Sequence, residues 1–149
     1  MKIFTTLFIF IFTFNSFTQN SSNLNLDKKK LAVDGYDLVT YFDNNPQEGN
    51  QSIKYFYENA HYYFVNKKNR ELFKKSPSKY LPQYGGWCAY AMGDSGEQVE
   101  IDPETYKIID DKLYLFYNKY FTNTLKSWNK KEAALKRSAD KNWLKFVVK

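Results

Sequence analysis

Apolar side chains are grouped along the chain in a way that predicts two β-hairpins. Residues 53–57 and 62–65 are rich in aromatic and β-branched side chains, and a short connection separates them. Residues 105–109 and 112–117 form a second such pair around two aspartates. Two β-rich runs joined by a short turn are typical of an antiparallel hairpin. Because both faces of the last strand are apolar, we expect it to be covered on both sides.

The pattern also predicts helices between and after the hairpins. Asn66 is a favourable N-cap residue for a helix over 67–75, and Pro77 can begin a short helical turn after it. Residues 121–128 and 131–146 predict two amphipathic helices, since their apolar side chains recur three or four positions apart.

The remaining segments predict turns and one short strand. Val39 and Tyr41 alternate with polar or smaller residues, which favours a strand, and residues 93–98 contain two glycines and predict a loop. Residues 31–146 are therefore expected to form one α+β unit. It would consist of a small antiparallel sheet built from two hairpins, a short central helix and two C-terminal helices.

The N-terminal residues have the pattern of a secretory signal peptide. Lys2 precedes an apolar run over 3–14, and small residues before and at Thr18 favour cleavage there, so 1–18 is the predicted signal peptide. The run is shorter than the roughly 20 residues of a membrane span, which disfavours the alternative of a retained anchor. Residues 19–30 are polar and predict a flexible linker. The protein is thus expected to be exported, periplasmic or extracellular, without stable membrane insertion.

Charge and composition limit the classes of binding partner that the sequence favours. The formal charge is +6, but the lysines are interspersed with acidic residues, which favours a solvated surface over a nucleic-acid site. The chain has 13 Tyr, 13 Phe and 3 Trp, enough rings to stabilise a small domain without disulfides. Tyrosine-rich strands could alternatively line a groove for a small ligand. A single cysteine, Cys88, excludes an internal disulfide and leaves one thiol to be explained.

Residues 81–93 contain that cysteine and half of the glycines. Tyr84, Gly85 and Gly86 precede Trp87 and predict a tight backbone turn, because glycine adopts positive φ at little cost. The turn would deliver Cys88 to a defined place.

Several motifs together resemble the exported branch of the YHS-domain proteins, over roughly residues 33–146. They are Gly35-Tyr36-Asp37-Leu38-Val39-Thr40-Tyr41-Phe42, Tyr62-Tyr63-Phe64, Asn69-Arg70 with Phe73, Pro77 and Tyr80, Gln83-Tyr84-Gly85-Gly86-Trp87-Cys88-Ala89-Tyr90, and Leu113-Tyr114-Leu115 followed by Tyr117-Asn118. The resemblance implies a small treble-clef-like, metal-binding fold. In the wider family the thiol ligands would fall on Thr40, Val65 and Asn69, and none of these is a soft ligand. Cys88 belongs instead to the signature of the exported branch, some members of which are selenoproteins.

Three interpretations of Cys88 stay open. It is a small buried apolar residue, a soft-metal ligand, or a redox thiol. A Cu(I)-like ion would suit Cys88 with Met92, four positions on, or with His61. Met92 as core filler and His61 as a surface residue at the end of the hairpin turn are the simpler alternatives.

Two function classes follow. The first is a non-enzymatic binding module that holds a soft, copper-like metal ion with Cys88 central. The second is a thiol-dependent oxidoreductase or redox sensor that uses Cys88. A protein partner bound through exposed aromatics is a third possibility, and the sequence names no such partner. The nearby carboxylates Asp102 and Glu104 are expected to cap a helix rather than to catalyse.

Overall fold

The computed structural model describes residues 23–148, so the predicted signal peptide, 1–18, lies outside the described residues. The fold is α+β, as predicted. The strands are β1 Asn50–Tyr57, β2 Ala60–Phe64, β3 Asp102–Ile109, β4 Lys112–Phe116, β5 Asn118–Lys119 and β6 Thr122–Asn123. The helices are α1 Lys67–Lys75, α2 Pro77–Tyr80, α3 Ala89–Asp94, α4 Thr124–Lys130 and α5 Glu132–Val147.

Both predicted hairpins form, and each turns through two residues at positive φ. These are Glu58 and Asn59 (φ 44° and 66°) between β1 and β2, and Asp110 and Asp111 (φ 51° and 56°) between β3 and β4. The hairpins do not merge into the single sheet that was expected. Each is a separate two-stranded antiparallel sheet, and β5–β6 is a third. Pro82 bridges to β4 at one position only, and its missing N–H prevents a longer ladder there.

The central helix begins and ends where its sequence requires. The Asn66 side chain accepts a hydrogen bond from the Asn69 backbone N–H at 2.8 Å, so Asn66 caps α1 as predicted. Pro77 occupies the first turn of α2. There its fixed φ fits a helix and its missing N–H removes no hydrogen bond.

Three predicted segments differ from the structure. The strand expected at Val39 and Tyr41 is a 3₁₀ turn, Thr40–Asp43, because side-chain and backbone groups of Asp37 bond the N–H groups that a strand would offer to a neighbour. The helix expected from residue 121 begins only at Thr124, capped by Asn123, after the β5–β6 hairpin. Gly93, expected in a loop, lies in α3.

The core has two parts, and aromatic rings fill both. In the larger part, Phe73 of α1 is fully buried and its ring contacts those of Tyr62 and Phe64, with centroids 4.9 and 5.4 Å away. In the smaller part, Trp128 of α4 is fully buried against Phe116 and Tyr114 of β4. The tyrosine-rich strands thus supply core side chains rather than a groove.

Helix α5 packs on the smaller part of the core, and the N-terminal segment packs on the larger part. A Cβ atom on Gly93 would lie 2.5 Å from the backbone oxygen of Leu135, so α3 and α5 approach each other where only glycine fits. Residues 23–26, assigned to a flexible linker by sequence, pack onto the fold through Leu24 and Leu26. No helix between residues 23 and 148 is both long and apolar enough to span a bilayer.

Candidate functional site

The turn before Cys88 has the tight geometry that its glycines predicted. Tyr84, Gly85 and Gly86 have φ values of 55°, 63° and 84° in succession. Such a run of left-handed residues reverses the chain within one turn and is tolerated by glycine far better than by other residues. Cys88 then precedes α3 as its N-cap residue, in a non-helical conformation with φ −57° and ψ 116°.

The N-terminal segment and α5 hold this turn between them. The backbone N–H of Asn25 donates to the Gly85 carbonyl at 2.9 Å, and the Trp87 indole N–H donates to the Asn23 carbonyl at 2.7 Å. A Cβ atom on Gly85 would lie 2.9 Å from both the Asn23 carbonyl and the Trp143 ring of α5. The position of Cys88 is therefore fixed by contacts with both ends of the domain.

The Cys88 thiol is fully buried and closes a ring of hydrogen bonds. The Tyr117 N–H donates to Sγ at 3.4 Å, and Sγ lies 3.5 Å from Thr124 Oγ1. The Thr124 hydroxyl donates its own proton to the Tyr117 carbonyl at 2.9 Å, since a carbonyl can only accept. Thr124 Oγ1 must then accept from the thiol S–H. In this state Sγ both donates and accepts.

The ring joins α3 to the base of the β5–β6 hairpin. Tyr117 and Thr124 flank that hairpin, and the Thr124 backbone N–H also donates to the Tyr117 carbonyl at 3.0 Å. A buried, fully hydrogen-bonded thiol fits the interpretation of Cys88 as a packed side chain. A redox thiol would need exposure, which this conformation does not provide.

Met92 follows Cys88 by one helical turn, yet the two sulfur atoms do not pack together. The Met92 N–H bonds to the Cys88 carbonyl at 3.0 Å, as the four-residue spacing predicted. The side chains belong to different core clusters, Cys88 to the larger and Met92 to the smaller. The reason is that Cys88 has ψ near 116°, outside the helix, so the rule for side chains sharing a helical face does not apply to it.

His61 lies within β2, opposite Phe56 of β1, rather than in the turn. Its ring centroid is 4.8 Å from that of Phe56, and its backbone bonds to Lys30 and Ala32. Its Nδ1 atom is buried and has no hydrogen-bond partner in the described part of the chain. Between residues 23 and 148, no three His, Cys, Asp or Glu side chains are grouped as a metal site requires.

The positions that the resemblance assigns to metal ligands, Thr40, Val65 and Asn69, meet around the buried Asp37. Asp37 Oδ2 accepts from the Val65 N–H at 2.9 Å and from Asn69 Nδ2 at 2.8 Å, while Oδ1 accepts from the Val39 N–H at 2.9 Å. The Thr40 hydroxyl donates to the Asp37 carbonyl at 2.7 Å. Hydrogen bonds to Asp37 therefore join these three positions, Val65 and Asn69 through its carboxylate and Thr40 through its backbone carbonyl.

Sequence reasoning placed Asp37 and Tyr117 in the motifs of the resemblance without a hydrogen-bonding role, and it did not single out Thr124. A second signal for Asp37 is that it is a carboxylate among apolar neighbours, which is unusual unless its oxygens are satisfied. No sequence signal marked the contact of Tyr117 and Thr124 with Cys88, which they follow by 29 and 36 residues.

The two carboxylates expected to cap a helix begin strand β3 instead. Asp102 accepts hydrogen bonds from the Glu104 N–H at 3.1 Å and the Thr105 hydroxyl at 2.8 Å, which shapes the start of the strand. Glu104 accepts from the Tyr36 hydroxyl at 3.0 Å. Both carboxylates thus have local hydrogen-bonding roles.

No family model matches the chain, and neither a curated protein nor a solved structure matches it.

Proposed function

We propose that the protein is an exported, YHS-like binding module that holds one soft, copper-like metal ion at Cys88. The motifs of residues 33–146 support the YHS-like assignment, and the N-terminal pattern supports export. The observation that carries the metal proposal is the polar environment of Sγ, to which the Tyr117 N–H donates at 3.4 Å and beside which the Thr124 hydroxyl lies at 3.5 Å.

These two groups suit a metal-bound thiolate as well as a thiol. When Cys88 gives up its proton to bind a metal, the Tyr117 N–H still donates to sulfur. The Thr124 hydroxyl can rotate from the Tyr117 carbonyl to Sγ and become a second donor. Outer-shell hydrogen bonds of this kind orient a ligating sulfur and tune its basicity. Thiolate is also a preferred ligand of Cu(I).

Metal entry requires the 117–124 segment to move, because Sγ is fully buried beneath it. The strands of that segment are only two residues long, Asn118–Lys119 and Thr122–Asn123, so few hydrogen bonds oppose its opening. In the proposed site Met92 supplies the second soft ligand. Its side chain must first turn from the smaller part of the core toward Cys88. His61, whose Nδ1 has no hydrogen-bond partner among residues 23–148, is the alternative second ligand.

The test is a titration of the reduced protein with Cu(I) against a chromogenic chelator. We expect about one tightly bound equivalent for the wild type and none for Cys88→Ser, which keeps a hydroxyl in the hydrogen-bonded ring but removes the soft ligand. Met92→Leu should weaken binding more than His61→Gln does. A wild type that binds no more copper than Cys88→Ser would overturn the proposal.

The oxidoreductase alternative is separated from metal binding by alkylation of Cys88 in the metal-free protein. A redox thiol would react in the folded state well below the reference thiol pKa of about 8.5. If Cys88 is a metal ligand, we expect its thiol to be protected from alkylation until the 117–124 segment opens. Mild denaturant should therefore accelerate alkylation.

A further inference from the structure

The hairpin formed by residues 118–123, here called the aromatic hairpin, exposes two adjacent rings at its tip. Tyr120 is 87 % exposed and Phe121 is fully exposed, and neither ring packs against the rest of the described chain. Tyr120 and Phe121 have φ values of 50° and 65°. A two-residue turn of this type favours asparagine and glycine, so bulky aromatic residues adopt it against their backbone preference.

Lysines are frequent in the sequence on either side of the tip. Between Asp111 and Glu132 the sequence contains five lysines and no carboxylate side chain. Lys119 lies next to the tip and is 3.9 Å from Glu100, while Lys126 lies in the first turn of α4 and forms no ion pair with any residue from 23 to 148. The exposed rings are therefore flanked by Lys126, which has no ion-pair partner among the described residues, and by Lys119, which is paired with Glu100.

We propose that the aromatic hairpin is a peripheral attachment site for an anionic lipid surface. Two ring side chains offer about 400 Å² of contact, half of the roughly 800 Å² that each partner buries in a stable protein interface. A small protruding tip is instead well suited to the headgroup region of a bilayer. Aromatic rings are favoured at that depth, and lysines attract anionic lipids.

Co-sedimentation with lipid vesicles tests this site. We expect the purified protein to bind vesicles that contain phosphatidylglycerol and to bind pure phosphatidylcholine much more weakly. Tyr120→Ser with Phe121→Ser should lower binding by at least about tenfold. Lys119→Gln with Lys126→Gln should lower it by about twentyfold, and added salt should mimic that loss. Phe56→Ser removes another exposed ring, on β1, and should bind as the wild type does.

Unchanged binding of the Tyr120/Phe121 variant, equal binding to neutral and anionic vesicles, or no vesicle binding at all would each overturn the proposal. A concentration-dependent dimer that this variant abolishes would also overturn it and assign the tip to a second copy of the chain. The lysine variant changes only exposed side chains. If the serine variant is less stable than the wild type, the vesicle binding of the lysine variant still tests the proposal.

Discussion

Asp37 shows how one residue organises three segments of the chain. Its carboxylate is fully buried and accepts hydrogen bonds from Val39, Val65 and Asn69. A buried charge is tolerable only when its oxygens are satisfied, and these three donors satisfy it. The same bonds divert residues 37–43 from the strand that their alternation predicted.

Asp37→Ala should therefore strongly destabilise the fold. The variant leaves the N–H groups of Val39 and Val65 and the Asn69 amide without their acceptor. We expect a loss of about 3 kcal/mol in the free energy of unfolding, measured by urea denaturation. Asp43→Ala removes an exposed carboxylate nearby and should change stability by less than about 0.5 kcal/mol. Equal effects of the two variants would refute the role given to Asp37.

The tight turn at residues 84–86 determines where Cys88 lies. Its glycines could be recognised from sequence, because consecutive glycines before an aromatic residue indicate a tight turn. The close approach of Asn23 and Trp143 could not, since those residues are distant in sequence. The four-residue spacing that suggested a shared face for Cys88 and Met92 was misleading, since α3 begins after Cys88.

Gly85→Ala and Gly86→Ala separate backbone strain from steric contact. Both residues have positive φ, so each variant should lose about 1 kcal/mol from strain. A Cβ on Gly86 would have 3.5 Å to its nearest neighbour, but on Gly85 only 2.9 Å. Gly85→Ala should thus cost at least about 1 kcal/mol more by thermal or urea unfolding. If Gly86→Ala were the more harmful, residues 23–25 and Trp143 would not clamp the turn.

The sequence pattern correctly predicted the helices and hairpins that depend on interactions between residues close together in the chain. The two longer hairpins and the Asn66 cap follow from alternation and turn chemistry, and both are present. Only residues 121–123 of the aromatic hairpin fall in the helix predicted over 121–128, a prediction that rests on Leu125 and Trp128 sharing a helical face. Its actual turn uses two residues at positive φ, which their aromatic side chains gave no reason to expect.

The two longer hairpins stay in separate sheets because each packs against a different helix. Phe73 of α1 packs against the first hairpin, and Trp128 of α4 packs against the second. Each hairpin thus has its own helical cover. Strand β4 lies between the two parts of the core, with Leu113 and Leu115 in the larger part and Tyr114 and Phe116 in the smaller. Cys88 and Met92, only four residues apart, fall on different sides of this division.

At the scale of the whole molecule, buried tyrosines link stability to pH. Burial raises the pKa of Tyr41, Tyr62 and Tyr84, and for Tyr84 the hydrogen bond to Asp140 adds to the effect. In the unfolded chain these phenols ionise near pH 10, whereas the folded protein keeps their protons to higher pH. Their contribution is therefore fully present below about pH 10 and is lost as the pH rises further.

The free energy of unfolding should accordingly be insensitive to tyrosine ionisation up to about pH 9. Above about pH 10 it should fall by up to roughly 1.4 kcal/mol per pH unit for each buried tyrosine. Tyr84→Phe should reduce this alkaline slope, and Tyr120→Phe, at the exposed tip, should leave it unchanged. Urea unfolding at a series of pH values measures both. A stability that rises above pH 10 would contradict the assignment of these phenols to the core.

The number of Cu(I) ions bound per chain shows whether Cys88 is a metal ligand or only a buried thiol. The wild-type protein should bind about one Cu(I) in competition with a chelator, and Cys88→Ser should bind none while retaining the wild-type fold. The same stoichiometry in both proteins, or none in either, would contradict the account and leave Cys88 as a buried thiol that joins α3 to the aromatic hairpin.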